Sequence, residues 1–349
     1  MPSSIVGIDI GSETLRAVEL GDLGKGKPTL QRLLDLDLPA GAVVRGEVQQ
    51  PHTVATALKQ LWARAGFKSK TAVVGVGNQK VIARDLSVPR ASLKRIRETL
   101  PFHVQDMLPV PVADALLDFY PISESEGEQG PQVNGLLIAA VKDAVLENVR
   151  AVQAAGLTAE NVDLIPFALV RALIPRESRG GTVAVVDLGA SATTVVVATA
   201  GVPQFVRVIP SGSGDLTQAL AQRLEVATDA AERTKHTLGL ARTVADADEH
   251  RAVQVIYEVT NEILGSLRNT VSYFSNVHPT TPVESIVVTG GGAQLPGFMN
   301  ALADVTRLPV TLGDPLANLT LGRGVDRQHL DTARATYSVA VGLALGSAA

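Results

Sequence analysis

The feature that most constrains this chain is a pattern that occurs twice. "GIDIGSET" (7–14) and "VVDLGASAT" (185–193) each run from an apolar strand into Asp, one apolar residue and Gly, then into hydroxyl-bearing residues and a second strand. Asp9 matches Asp187, and Gly11 matches Gly189. Taken singly, "IVGIDIGSETLRAVEL" leaves Asp9 open to two readings: a carboxylate capping its own turn, or one aimed at a metal, a water or a phosphate. Asp is depleted in strands and rarely buried without a partner. The repetition weighs against a purely local role, because two related halves facing each other bring two Gly-hydroxyl turns to one cleft. Glycine lets the backbone approach an anion, and exposed amides and hydroxyls then hold its oxygens. Two carboxylates beside that anion would repel it unless a divalent cation lay between them. Mg²⁺, with its preference for oxygen ligands, suits that position.

Around the repeat, strands and helices alternate. Strand-like runs occupy 5–10, 14–20, 29–38, 72–76 and 80–86, with a helical stretch at 52–66, as expected for an antiparallel meander feeding a βα layer. From Pro89 the texture changes. "PRASLKRIRETLPFHVQDMLP" reads as an amphipathic helix with a basic first half, broken at Pro101. "ALLDFYPI" and "NGLLIAAV" read as strands around a polar loop at 123–132, and "KDAVLENVRAVQAAG" as a helix closed by Gly156. This α-β-β-α block has the size of a small inserted subdomain. A helix over 162–174, a break at 175–181, renewed β texture to Ile209, and helices over 215–240 and 246–277 follow. A βα unit at "ESIVVTGGGAQLPGF" and a terminal helix "YSVAVGLALGSA" complete the pattern. Gly342 and Gly346, four apart, let one face of that last helix approach a neighbouring backbone, which simple close packing explains.

Three further motifs come after the second Asp. "GSGDLTQAL" sets Gly212 and Gly214 before a helix, either as an anion cradle or as a loop leading to a helix start capped by Asp215. "AERTKHT" puts Glu232 and Lys235 on one helical face, as an exposed ion pair or as a lining pair of a ribose and base pocket. "IVVTGGGAQLPGF" ends a strand in Gly290, Gly291 and Gly292, which suggests that a ligand or another backbone comes very close.

Composition removes several classes. The chain has 349 residues, 46% of them hydrophobic, enough for sizeable cores in about two domains. A net charge of −4 gives no basic footprint, and 3% aromatic residues leave little to stack on bases, so nucleic acid is not an expected partner. With no cysteine, disulfides, thiolate zinc sites and a cysteine nucleophile are excluded. The start "MPSSIVGIDIG" lacks the positive flank and apolar core of a secretion signal.

The ordered set resembles the actin-like ATPase superfamily of actin, sugar kinases, chaperone ATPases and FtsA. The residues that carry the resemblance are "GIDIGSET", "VVDLGASAT" with "GSGD", "AERTK", "VTGGGAQLPG" and "YSVAVGLAL". Within it, "LSVPRASLKRIRETLPF", "LLDFYPI", "GVPQFVRVIPSGSGDLT" and "TYSVAVGLALG" are similar to the PilM family of type IV pilus assembly. The resemblance implies an α/β actin-like ATPase fold of two duplicated ribonuclease H-like domains. The first core would take 1–85, 161–179 and 333–349, with an FtsA/PilM-type (SHS2) insertion at 86–160. The second core would take 180–215 and 281–332, with a helical subdomain at 216–280 closing over adenosine.

Carried over, the resemblance implies ATP and Mg²⁺ as ligands, with Asp9 and Asp187 holding the metal and its waters. Gly11, Ser12, Glu13 and Thr14 would form the first phosphate turn and Gly189 with Ser191 the second, while Arg16 reaches a phosphate. Gly212 and Gly214 would cradle phosphate; Glu232, Lys235 and Gly290 to Gly292 would frame the adenosine. The segment "GSGD" departs from the adjacent glycines of relatives, and Asp163 is the candidate for positioning an attacking water. ATP binding is thus expected, with hydrolysis weak or dependent on a partner.

That family resemblance implies a cytoplasmic protein, held at the inner face of the membrane through the cytoplasmic tail of a PilN-like membrane protein and meeting other pilus assembly proteins. An extended peptide would pair with a strand edge of "LLDFYPI" or "NGLLIAAV". The alternatives are an FtsA-like filament protein, disfavoured because the chain ends at "GLALGSAA" without a basic amphipathic tail, and a small-molecule kinase of the same superfamily.

Overall fold

The computed structural model describes residues 4–24, 26–128, 130–174, 180–241 and 243–346. The expectations for the first three residues, for most of the break at 175–181 and for the last three residues fall outside these. In chain order the first part contains β1 (Ser4–Ile10), β2 (Thr14–Gly21), β3 (Thr29–Asp37), β4 (Val43–Val44), β5 (Glu47–Val48), α1 (Pro51–Ala65), β6 (Thr71–Val76) and β7 (Val81–Pro89). Next come α2 (Leu93–His103), β8 (Ala115–Gly127), β9 (Gly130–Val141), α3 (Lys142–Ala154), β10 (Thr158–Leu164) and α4 (Ile165–Leu173). The remainder is β11 (Thr182–Leu188), β12 (Thr193–Thr199), β13 (Val202–Ile209), α5 (Ser213–Leu224), α6 (Thr228–Leu238), α7 (Ala247–Val277), β14 (Ser285–Thr289), α8 (Phe298–Thr306), β15 (Val310–Leu312), β16 (Thr320–Leu321), α9 (Arg327–Ala333) and α10 (Ser338–Gly346).

The sequence repeat is a topological one. One sheet runs β3-β2-β1-β6-β10 and the other β13-β12-β11-β14-β15, each an antiparallel meander followed by two parallel strands. Parallel strands are buried on both faces, so β1 and β11 read as continuous apolar runs. Strand alternation then decides which way each side chain looks. Val6, Ile8 and Ile10 join the core under α1 and α3, whereas Ile5 joins a core shared with α4 and α10. In β11, Ala184, Val186 and Leu188 join the core under α5, α7 and α8, and Val185 the shared one. Asp9 has the parity of Ile5, and Asp187 that of Val185. Both carboxylates therefore sit on the strand faces that look toward each other.

The helices α4 and α10 fill the layer between the two sheets, and small residues set their approach. An added Cβ at Gly342 would lie 1.9 Å from the Ala168 carbonyl oxygen, and one at Gly7 would lie 2.0 Å from that of Ala340. The close-packing role of the "GLALG" face thus holds at Gly342.

Several boundaries differ from those expected. Residues 162–164 are strand and not helix, because β10 pairs with β6 as an edge strand; a register shift between Ala159 and Asn161 breaks its alternation, and Glu160 and Asn161 hide its apolar pattern. The polar stretch 123–132 is mostly ladder, with Glu124 opposite Val133 and Gly127 opposite Gly130, so the hairpin extends well past the expected strands. Helix α2 passes through Pro101 and ends two residues beyond it, at His103. The helix expected over 215–240 is two, parted at Glu225, whose backbone is left-handed (φ 55°). The insertion is a three-stranded sheet, β7-β9-β8, with α2 on it and its own core of Val88, Ile96, Leu100, Phe119 and Leu137. Helix α3 instead gives Ala151 and Val152 to the core beneath α1, and β10 lies in the first sheet, so the inserted module spans 81–141. Strand β16 returns to the first sheet beside β3, earlier than the expected crossing at 333.

Candidate functional site

Each repeat ends in the same turn. The Gly11 amide donates to the Thr14 carbonyl at 3.1 Å, and the Gly189 amide to the Ala192 carbonyl at 3.0 Å. Glycine is required at neither position by its φ but by space: a Cβ on Gly11 would lie 2.8 Å from the Thr14 oxygen. These turns meet across a cleft of about 350 Å³, where the Ser12 and Ser191 hydroxyls are hydrogen-bonded at 2.6 Å. Asp9, Asp187, Thr14, Arg16 and Thr194 line the same cleft. Among the described residues, none accepts a hydrogen bond from the amides of Ser12, Glu13, Ala190 or Ser191, all of which border the cleft. Unpaired amides at two facing turns form an anion nest.

The carboxylates supply the complementary charge. Burial raises the Asp9 carboxyl above its usual range, with the Arg16 guanidinium, 3.8 Å away, offsetting part of the effect. Burial and then the Asp9 charge push Asp187 up to about 7, again against Arg16. Two mutually repelling carboxylates beside a nest of amides fit a divalent cation bridging to an anion. Among the described residues there is no cluster of three or more His, Cys, Asp or Glu that could hold a metal, so waters and the anion would complete its shell.

At the other end, Lys235 is buried (4% exposed) and donates to Thr217 Oγ1 at 2.9 Å and to the Ser213 carbonyl at 3.3 Å. Its ion pair with Glu232 is 2.7 Å long, with the Lys235 side chain buried and that of Glu232 partly exposed. Burial works against ionised Glu232, but hydrogen bonds from Lys235 and Thr217 hold its carboxyl below the ordinary range. The three glycines divide. Gly290 (φ 86°) leaves room for Asp187, since a Cβ there would lie 2.3 Å from Asp187 Oδ1. Gly291 opens on the cleft, and Gly292 packs on Leu188 outside it.

Two expectations need correction. Gly212 and Gly214 do not line the cleft, and the amides around them are already engaged. Gly212 donates to Asp215, Ser213 to the Gly189 carbonyl and Gly214 to the Ala190 carbonyl, so the start of α5 braces the second turn instead of cradling a ligand. Asp163 is also outside the cleft lining; it is ion-paired with Arg171 of α4 and accepts from the Leu164 amide at 2.8 Å. Conversely, Arg45, Gly46, Gly77 and Asn78 line the cleft without a local motif to announce them.

Two duplicated sheets of this order, with facing Asp-Gly turns between them, define an actin-like ATPase fold. MreB5 of Spiroplasma citri, solved bound to AMPPNP, shares it at a TM-score of 0.54 and 12% identity, over 98% of this chain and 95% of that one. The cell division protein FtsA of Bacillus subtilis (strain 168) is 24% identical over 351 residues, covering 89% of this chain and 78% of that protein. A solved PilM-PilN type IV pilus biogenesis complex is nearer, with a TM-score of 0.87 and 28% identity over 99% of this chain and 98% of that one. The family model for type IV pilus assembly protein PilM matches residues 7–348, and the chain belongs to that family.

Proposed function

We propose that this protein is an ATP-binding actin-like component of the type IV pilus inner-membrane assembly platform, whose nucleotide state is read by a PilN-like partner. The observation that carries the nucleotide part is the pair of Asp-Gly turns whose tips touch through Ser12 and Ser191 and present four amides without an acceptor among the described residues. The phosphates would lie on those tips, with Asp9 and Asp187 holding Mg²⁺ through waters. The metal would neutralise charge between carboxylates and phosphates. Glu232, Lys235 and Gly291 would frame the adenosine. AMPPNP in a solved actin-like relative supports the same use of the cleft.

The partner part is supported by the likeness to a PilM-PilN complex. No helix among the described residues is long and apolar enough to cross a membrane, so attachment would come through that partner's cytoplasmic tail. Strand β9 carries β7 and β8 on either side and offers no edge; of the two expected segments only the one in β8 lies on an edge strand, where Leu116 is exposed. An extended peptide would add there, beside the contact of Tyr120 with Phe167 of α4.

The test is equilibrium binding of a labelled peptide from the cytoplasmic N-terminus of a PilN-like protein, with and without Mg-ATP. Peptide binding whose affinity changes with nucleotide is expected. No peptide binding in either state would refute the partner while leaving the nucleotide reading to a separate Mg-ATP titration.

A further inference from the structure

Strands β4 and β5 form a minimal hairpin, Val44 opposite Glu47, whose two turn residues are Arg45 and Gly46. Both have positive φ, 50° and 76°. A two-residue turn with both φ values positive favours Asn-Gly, Asp-Gly or Gly-Gly, because a side chain with a Cβ is strained in the left-handed region. Arginine at the first position is therefore held against local preference. Strained residues of this kind point to a use for the side chain.

The surroundings say what that use is. The Gly46 amide donates to Ser12 Oγ at 3.2 Å, and the Asn78 side-chain amide donates to the Gly46 carbonyl at 3.2 Å. Asn78 is buried, so the turn is clamped from both sides. Ser12 is also the residue that touches Ser191, which places the Arg45 turn beside the point where the two tips meet. Of the other basic side chains lining the cleft, Arg16 and Lys235 pair with Asp9 and Glu232, and the His236 ring contacts Glu232. Arg45 is exposed, lines the cleft and has no carboxylate partner among the described residues.

We infer that Arg45 is the positioning residue for the terminal phosphate of a bound nucleoside triphosphate, and so distinguishes triphosphate from diphosphate. The inference rests on the nucleotide reading above and adds a residue that no motif in the sequence marks. A guanidinium offers a planar fork of donors to phosphate oxygens. It would engage only when the third phosphate is present, since the amide nest already serves the others.

The test compares a non-hydrolysable ATP analogue with ADP, both with Mg²⁺, on wild type, Arg45→Asn and Arg45→Lys by isothermal titration. Asn suits the positive φ, so Arg45→Asn should melt no lower than wild type. It should lose roughly ten- to a hundredfold in triphosphate affinity, the range for one charge-assisted contact. ADP affinity should move less than about threefold, and Arg45→Lys should recover part of the loss. Unchanged triphosphate affinity in Arg45→Asn, or equal losses for both nucleotides, would overturn the inference with the nucleotide reading intact. A wild-type protein that binds neither nucleotide would overturn that reading and the inference with it.

Discussion

Without a divalent cation, ionising Asp187 in the cleft is costly, and that cost is measurable as a pH dependence. Burial and the Asp9 charge push its carboxyl up to about 7, against 3.8 for an unperturbed aspartate. Between those values the folded protein holds a proton that the unfolded chain has released. Stability contributed by the neutral group is full below 3.8 and is lost as pH rises toward 7, above which the loss levels off. About three pH units at 1.36 kcal/mol each give a ceiling of roughly 4 kcal/mol. Asp187 borders the open cleft, so solvent screening should reduce this to about 2 kcal/mol. Asp187→Asn cannot ionise and should lack the loss. The assay is urea unfolding of both proteins in EDTA, without nucleotide, at pH 5, 6, 7 and 8. The variant-minus-wild-type difference should grow in the variant's favour from pH 5 to 7 and then flatten; any fixed cost of the amide cancels from that slope. Adding Mg²⁺ with ATP at pH 8 should restore wild type and not the variant. A difference that is constant with pH, or that shifts toward wild type, would refute the argument that the two carboxylates share a desolvated site.

Asp9→Ala should abolish Mg-ATP affinity in an equilibrium titration while its thermal unfolding stays cooperative; unchanged affinity would return Asp9 to a local turn role. Gly342→Ala drives a methyl to 1.9 Å from the Ala168 carbonyl and should cost roughly 3 kcal/mol by chemical unfolding. Gly346→Ala, whose nearest neighbour is the movable Arg171 guanidinium, should cost less than about 1 kcal/mol, and equal losses would refute backbone contact as the cause. Glu19 is fully buried; burial opposes its charge, but the Ser69 amide, Ser4, Arg32 and the Lys68 amide together hold its carboxyl below 4.5. Its contribution is present above 4.5 and lost as pH falls through the lowered value, so Glu19→Gln should cost about 2 kcal/mol at pH 7 and less at pH 3.

What the sequence made legible is what local chemistry decides. The Asp-Gly turns could be read because each needs glycine within three residues, and the repeat because both halves bury the same strand on two faces. Gly290 was legible as a point of close approach, although the group it clears space for is Asp187 from a neighbouring strand. The rest depended on pairings remote in the chain. Asp163 resembled a free acid until Arg171, eight residues on, took it up. The amides beside Gly212 and Gly214 resembled an anion cradle until the carbonyls of Gly189 and Ala190 occupied two of them. Both cases have one source: a motif shows which polar groups are present, and only the fold shows which already have partners. Arg45 is the converse, since "VVRGEV" signals only a turn, and its relation to Ser12 spans 33 positions that no local pattern connects.

The same accounting shows where a change in the cleft would be felt. Ser12 leads to Gly46, Gly46 to Asn78, and Asn78 accepts from the Lys80 amide at 2.9 Å. Lys80 in turn accepts from the Val141 amide at 3.2 Å, which ties the entry of the inserted module to its exit. The three-stranded sheet is thus joined to the first core where the chain borders the Ser12 turn. On the far side, Thr289 bonds Ser338 at 2.6 Å and the Ala335 carbonyl at 2.7 Å, fixing the second sheet to the start of α10. Opening the cleft must break the Ser12–Ser191 pair, while the Thr289 bonds hold the far side. Asn78 is the narrower tie, a single side chain between two backbones. A ligand that displaced the Arg45 turn would therefore move the base of the module that carries the free β8 edge, with no rearrangement of either core.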